Sequence, residues 1–353
     1  MEYFFSSSSL TIVMIRDSRS IKDFKTKTYS DFKKIDVLRE LHKSIKTTRI
    51  ENVYFWLSEL MCSGHFYDIW VAFIQHYSTY IYSANPKFPI YLEKRLVEFR
   101  KIMNMSASKD ELEFRNDNRV RDIIAEISAI LCYSQRRHSI DTVKIDNTYF
   151  DLHVIRLHLL APSTKYADGI FRTDDAKEVY MAVNELAYCL SDGVRNMMKA
   201  TFWIEWIIEF EVRARKQKVT CSVVKRDFVD VASNCETNVI WIVWDVLIQE
   251  ANRRSVSVLQ CIRALCNLFS FRYTSVNNKR FRYLLYNACI FLCEVPDMHI
   301  PLVGNTGTIK EMIPKFVGFF GEKKVQPREM KPVEKTREEK LSQKMELWKS
   351  AMK

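Results

Sequence analysis

An all-α, multi-helix fold is predicted for this sequence by three observations. Glycine and proline number only 7 and 8 among 353 residues, far below the roughly 7% and 5% of average proteins. Tight turns are therefore few, and strand-rich sandwiches and glycine-rich phosphate loops are disfavoured. Apolar residues recur at intervals of three and four along most of the chain, the spacing that puts side chains on one helix face. Hydrophobic residues make up 47% of the total, enough at this length to enclose a substantial core.

Taken in order, residues 1–34 are serine-rich, then lysine-rich, and are expected to form a loosely attached arm. A domain over 35–160 opens with Leu38, Leu41 and Ile45 on one helical face. Val53, Trp56, Leu57, Leu60 and Met61 repeat the period, and Gly64 supplies the stop. Ile69, Phe73, Ile74, Tyr77 and Ile81 make a third stripe that runs into the turn dipeptide Asn85-Pro86. Helices are predicted over 91–103 and 120–133, the second with Ile123, Ile124, Ile127, Ile130 and Leu131 facing a core, and a loop over 106–118. Residues 142–160 read equally as strand or helix. A boundary is expected between Ala161 and Thr173, followed by a second, aromatic-rich helical domain over 173–320 with helices at 176–190, 194–212, 238–251, 256–271 and 280–295. From 322 to 353 the composition turns to Glu, Lys, Arg and Pro, a charged tail. Its Leu341, Met345 and Trp348 share one face at helical spacing and suit either a partner's groove or a contact with the chain's own domain.

Lys and Arg number 54 against 43 Asp and Glu, a formal charge of +11 with a pI near 9.1. A polyanion partner is one reading of that balance; a basic surface that confers solubility is the other. Nine cysteines, with no Cys-x-x-Cys pair and several in apolar helical runs, read as reduced core thiols. With no secretory leader and no apolar run long enough to cross a bilayer, the sequence reads as a soluble intracellular protein.

Residues able to do chemistry are scattered. His153 and His158 with Asp151 lack the further ligands a metal site needs. Cys62 with His65 and His76 supplies a thiol and bases, but Cys62 sits at a helix end where a small packing residue is expected. Glu205 and Glu209 lie one turn apart between Trp203 and Trp206, able to share acid and base roles or to pair with basic neighbours, Arg213 being the i,i+4 partner of Glu209. No cofactor motif is present, and no enzyme is predicted. Basic groups beside aromatics are the better candidates for nucleic-acid contact: Arg136 and Arg137, then Arg213, Arg215, Lys216 and Lys218, then Arg253 and Arg254, then Arg280 and Arg282. Arg115, Arg119 and Arg121 add to them.

The segment Leu41-His42-Lys43-Ser44-Ile45, followed by Tyr54, Trp56 and Leu57, then Gly64, then Ala84-Asn85-Pro86, resembles the region after the ATPase module in the RarA or Werner-helicase-interacting family of ATPases. The resemblance covers about residues 38–138 and departs from the family at Thr79-Tyr80-Ile81-Tyr82. It implies a clamp-loader-collar-like helical module that assembles subunits at replication forks, with Tyr54, Trp56 and Leu57 as partner contacts; Trp348 of the tail, from its helical spacing, is a further candidate. The motor would be missing. In its Lys/Ile/Phe-rich, glycine-poor style and its 202–206 and 240–245 segments, the chain also resembles uncharacterised proteins of nucleocytoplasmic large DNA viruses. Together these lead to an expected accessory protein of viral DNA replication, repair or transcription, in the host cytoplasm or nucleus, with protein subunits and DNA or RNA as partners and no membrane. The alternative is a virion structural or genome-packaging protein.

Overall fold

The computed structural model describes residues 14–105 and 111–324. Among these it is all-α, with no sheet and one isolated bridge, Lys27 with Lys33. The helices are α1 (Lys34–Lys46), α2 (Ile50–Cys62), α3 (Phe66–His76), α4 (Phe88–Met105), α5 (Asn118–Tyr133), α6 (Leu152–Arg156), α7 (Tyr180–Leu190), α8 (Met197–Lys216), α9 (Ile240–Asn252), α10 (Val256–Phe269), α11 (Asn277–Arg280), α12 (Arg282–Cys293) and α13 (Thr306–Lys324).

Each apolar stripe became a buried face. Leu41, Ile45, Val53, Leu57, Leu60, Ile69, Phe73, Ile74 and Ile81 are all enclosed. Gly64 has φ +76°, the left-handed conformation expected of a helix stop, and its N–H bonds the Met61 carbonyl at 3.0 Å. The ambiguous stretch 142–160 contains a 3-10 turn, Asn147–Phe150, and the short α6, each begun by an aspartate cap. Aspartates at 146 and 151 accept the N–H two residues on, so local capping decides against a strand there.

One cluster of buried side chains runs from Ile15 to Phe320, and α10 packs against α4 while α12 packs against α8, α9 and the chain after α3. Polar bonds accompany this packing: Asn287 Nδ2 donates to the Ser78 carbonyl at 3.1 Å and the Cys261 thiol to the Pro86 carbonyl at 3.3 Å. All nine cysteines are free thiols, seven of them buried.

One segment differs from the sequence-based expectation. Residues 14–33, expected as part of a loose arm, are packed: Ile15, Phe24 and Thr28 are buried. Glu59 on α2 holds them, accepting from Thr28 Oγ1 at 2.9 Å and from Ser30 N and Oγ at 3.0 and 2.6 Å. Residues 1–13 lie outside the described part. No separate element is expected from the sequence over 306–321, and the structure forms α13 there despite Gly307, Pro314, Gly318 and Gly321. It lies against α5 and α2 with Ile309, Phe316 and Phe320 buried; tertiary burial outweighs the poor helix propensity of its glycines and proline. The segment 322–353 is described only to Lys324.

Candidate nucleic-acid interface

The basic residues singled out in the sequence have different fates. Three are occupied inside the fold. Arg136 Nη2 donates to the carbonyls of Ile45 at 2.8 Å and Cys132 at 2.9 Å, and Nη1 reaches Thr48 Oγ1 at 3.2 Å. A cation there satisfies the last carbonyls of α1 and complements its dipole. Arg254 donates to the Leu190 carbonyl at 2.9 Å and pairs with Asp192. Arg282 pairs with Glu205 at 3.1 Å.

Three more are locally engaged. Arg213 bonds Asn147 Oδ1 at 3.3 Å and lies over the Phe150 ring at 5.0 Å, Arg215 pairs with Glu211 at 3.2 Å, and Arg253 with Glu250 at 2.5 Å. Arg137, Lys216, Lys218 and Arg280 are exposed and form no ion pair among the described residues. Arg115 and Arg121 are buried and bond backbone carbonyls, while Arg119 pairs with Asp117.

What the fold adds is convergence. At the end of α1, the exposed Lys46 ammonium lies 4.8 Å from the centre of the Tyr80 ring. The Arg137 N–H bonds the Tyr80 carbonyl at 2.7 Å, which ties the chain after α5 to the same spot. His42 on α1 has its pKa pushed down, by burial first and then by the Arg280 charge, so the end of α11 reaches this face too. The Tyr283 hydroxyl is pushed up by burial, with the Arg282 charge opposing and Tyr80 and Asp141 adding to the rise. Cations and half-buried tyrosines from α1, the chain after α3, the chain after α5 and the α11–α12 junction thus share one face. Lys46, Tyr80 and Tyr283 were not selected from the sequence; its one signal was the departure from the family pattern at residues 79–82.

Arg253 and Arg254 do not join this face. Arg254 acts on Cys293, at the opposite end of α12 from Arg282, about 16 Å away along the axis at 1.5 Å per residue. Lys216 is the last residue of α8 and Lys218 follows it; Glu209 of the same helix pairs with Lys279 next to Arg280.

Beneath the face lies His76, 1% exposed, with neither ring nitrogen hydrogen-bonded among the described residues. Burial, then the nearby His42, Arg136 and Lys46, bring its pKa down to about 3. A base with a depressed folded pKa contributes stability that is complete above its unfolded pKa near 6.5 and is lost as pH falls toward the folded value. Wild-type protein is expected to lose up to about 1.4 kcal/mol per pH unit through this group below pH 6.5. His76→Phe is expected to flatten that part of the profile in urea unfolding at pH 7 and pH 5. Equal slopes in the two proteins would count against the assignment; His42, also depressed, acts with the same sign.

The catalytic candidates are absorbed by packing. Glu209 pairs with Lys279, not with Arg213, because α11 lies alongside α8 whereas Arg213 turns to Phe150. Glu205 accepts from the Tyr286 hydroxyl at 2.7 Å as well as pairing with Arg282, and burial raises its pKa against those two. His158 stacks on Phe202 with ring centres 4.4 Å apart and planes at 9°, and Asp151 caps α6 through the His153 N–H. Cys62 is fully buried and His65 lies beside Asp68. No group of His, Cys, Asp and Glu able to hold a metal ion occurs among the described residues.

The proposed partner contacts also need correction. Tyr54 and Leu57 are 1% and 0% exposed. Tyr54 packs on Phe316 and Phe319 with ring centres 4.9 and 6.2 Å away, because α13 covers α2. Trp56 is half-buried against Phe32 and Phe55, and Trp348 lies outside the described residues.

The molecule is thus an all-α, multi-helix protein with a basic, tyrosine-bearing face assembled from four separate stretches of chain. Compared with protein-family models, curated proteins and solved structures, the chain matches none. No helix among the described residues is long and apolar enough to cross a membrane.

Proposed function

We propose that this protein is a non-enzymatic accessory factor that binds nucleic acid through the face around Lys46, Tyr80, Arg137 and Arg280 and assembles with other subunits of a viral DNA replication, repair or transcription apparatus. The observation that carries the nucleic-acid part is the convergence of three cations that form no ion pair among the described residues with two half-buried tyrosines, drawn from residues more than two hundred positions apart. Cations neutralise phosphates and tyrosine rings stack on bases. The engagement of Glu205, Glu209, Cys62 and His158 in packing supports a role without catalysis. The subunit-assembly and viral parts come from the sequence resemblances, with Trp56 the one partner candidate on α2 that retains exposed surface.

Titrating the full chain with a fluorescent single-stranded oligonucleotide and with a duplex, each at several salt concentrations, tests the reading. Binding is expected to weaken steeply with salt. Replacing Lys46, Arg137 and Arg280 together by alanine is expected to reduce the log–log salt slope by about 0.7 to 0.9 per cation removed. Binding that is absent, independent of salt, or unchanged in the triple variant would overturn it.

A further inference from the structure

The chain between α6 and α7 is irregular but tied down at several points. Arg226 Nη2 donates to the Ile170 carbonyl at 3.1 Å and grips Asp175, and Gln249 on α9 donates to the Gly169 carbonyl at 3.1 Å. Asp175 also accepts the Arg172 N–H at 2.7 Å. Held in this way, the segment borders a cleft of about 690 Å³. Apart from Ala167, every residue lining that cleft is exposed or half-buried, so a ligand reaches each of them without any rearrangement of the core.

The walls carry two kinds of group. Phe171 and Tyr180 meet edge to face, with ring centres 4.9 Å apart and planes at 76°. The Tyr180 hydroxyl donates to the Thr164 carbonyl at 2.7 Å, which fixes that ring. Beside them stand Arg172 and Lys177, neither in an ion pair among the described residues. Arg172 Nη1 donates to the Lys225 carbonyl at 2.9 Å, which steadies the guanidinium and leaves Nε and Nη2 to other acceptors. The N–H groups of Gly169 and Thr173 are also unspent among the described residues. Gly169 has φ +80°, and a Cβ there would meet nothing within 4 Å, so the space over this backbone is open to a close approach. Asp168 is the one acid of the lining, and two cations against one carboxylate leave it at +1.

We propose that this cleft binds a nucleotide unit, with the base against Phe171 and Tyr180 and the phosphate between Arg172 and Lys177. The volume falls in the range of small-molecule pockets, roughly 300–1,000 Å³. Fixed aromatic rings with exposed surface take a base by stacking. A guanidinium and an ammonium without carboxylate partners suit a phosphate monoester, which carries about −1.5 to −2 charge and three acceptor oxygens. Asp168 accepts from a base amine or a sugar hydroxyl and repels additional phosphates, so a monophosphate matches this lining better than a triphosphate. The site shares no residue with the basic face and does not rest on the nucleic-acid reading.

Equilibrium dialysis tests the site in a full-length background in which Lys46, Arg137 and Arg280 are replaced by alanine, so that the basic face contributes nothing. Adenosine 5′-monophosphate is expected to saturate. Adenosine is expected to bind at least about tenfold more weakly, the worth of one charge-assisted bond to the phosphate. Arg172→Ala and Lys177→Ala, both at exposed positions, should each weaken the monophosphate about tenfold with the helical circular dichroism preserved. A short deoxyadenylate strand, dialysed in parallel, separates the two sources of the unit. A strand that binds more tightly than the monophosphate and is weakened by Lys177→Ala assigns the cleft to single-stranded nucleic acid; a tighter monophosphate assigns it to the free nucleotide. No saturable monophosphate binding, equal affinity for adenosine, or affinity unchanged in the folded Arg172→Ala and Lys177→Ala variants would each overturn the site.

Discussion

Replacing Arg226 by alanine is expected to destabilise the protein by about 3–5 kcal/mol, the cost of leaving buried charge without its partner. The Arg226 side chain is completely buried. Its Nη1 and Nη2 grip Asp175 Oδ1 and Oδ2 at 2.9 and 2.7 Å, and Nε reaches Asp245 Oδ2 at 2.7 Å. The carbonyls of Val224 and Ile170 complete the set at 2.6 and 3.1 Å. Asp175 in turn accepts the N–H groups of Arg172 and Val224 at 2.7 and 2.8 Å, so one guanidinium pins two irregular stretches of chain to α9. Burial alone would raise the Asp175 pKa, but its hydrogen bonds to Arg226, Arg172 and Val224 leave it below the ordinary value. A carboxyl with a lowered folded pKa contributes stability that is present above its unfolded pKa and is lost as pH falls through the folded one. Without Arg226 the largest part of that contribution is lost, and the Asp175 and Asp245 carboxylates are left without their shared cation. Urea unfolding at pH 7 measures the loss, and a value under about 1 kcal/mol would refute this account. Arg226→Met combined with Asp175→Asn and Asp245→Asn is expected to recover a large part, because the buried charges leave together.

Phe316→Ala is expected to cost a comparable 3–5 kcal/mol, the range for truncating a buried phenylalanine. Phe316 is 1% exposed, packs on Tyr54, and meets Phe320 edge-on with ring centres 5.1 Å apart. Phe320 is itself covered by the Arg121 guanidinium, 4.2 Å from its ring centre. Truncating Phe316 opens a cavity between α13 and α2 and exposes Tyr54 from behind. If α13 were a dispensable appendage, the thermal midpoint of the variant would match wild type. A drop of several degrees is expected instead.

The helices of the chain were legible wherever apolar residues kept a spacing of three and four and a stop stood nearby, as at Gly64 after α2 or across Ile123 to Leu131 in α5. Local rules suffice there because periodicity and caps act within a few residues. They misled at residues 14–33, whose anchor is Glu59, and gave no element at α13, where burial against α2 and α5 holds a helix that contains Gly307, Pro314, Gly318 and Gly321. In both cases the deciding partner is remote in sequence.

The same division holds for the candidate interface. Charge, composition and the list of basic residues were all readable, but a guanidinium looks alike in sequence whether it caps a helix, as Arg136 does, sits beside Glu205, as Arg282 does, or stays exposed, as Arg137 and Arg280 do. By itself, then, the sequence determined that this protein is built of helices and which face of most of them turns inward, since hydrophobic period and glycine placement are local properties. Only the tertiary structure decided that Lys46 lies over Tyr80 beside the backbone of Arg137, that Tyr54 is sealed under α13, and that Asn85 Oδ1 is buried without a hydrogen-bond partner among the described residues. Those outcomes depend on which surfaces pack together over separations of tens to hundreds of residues, and no window along the chain contains both partners.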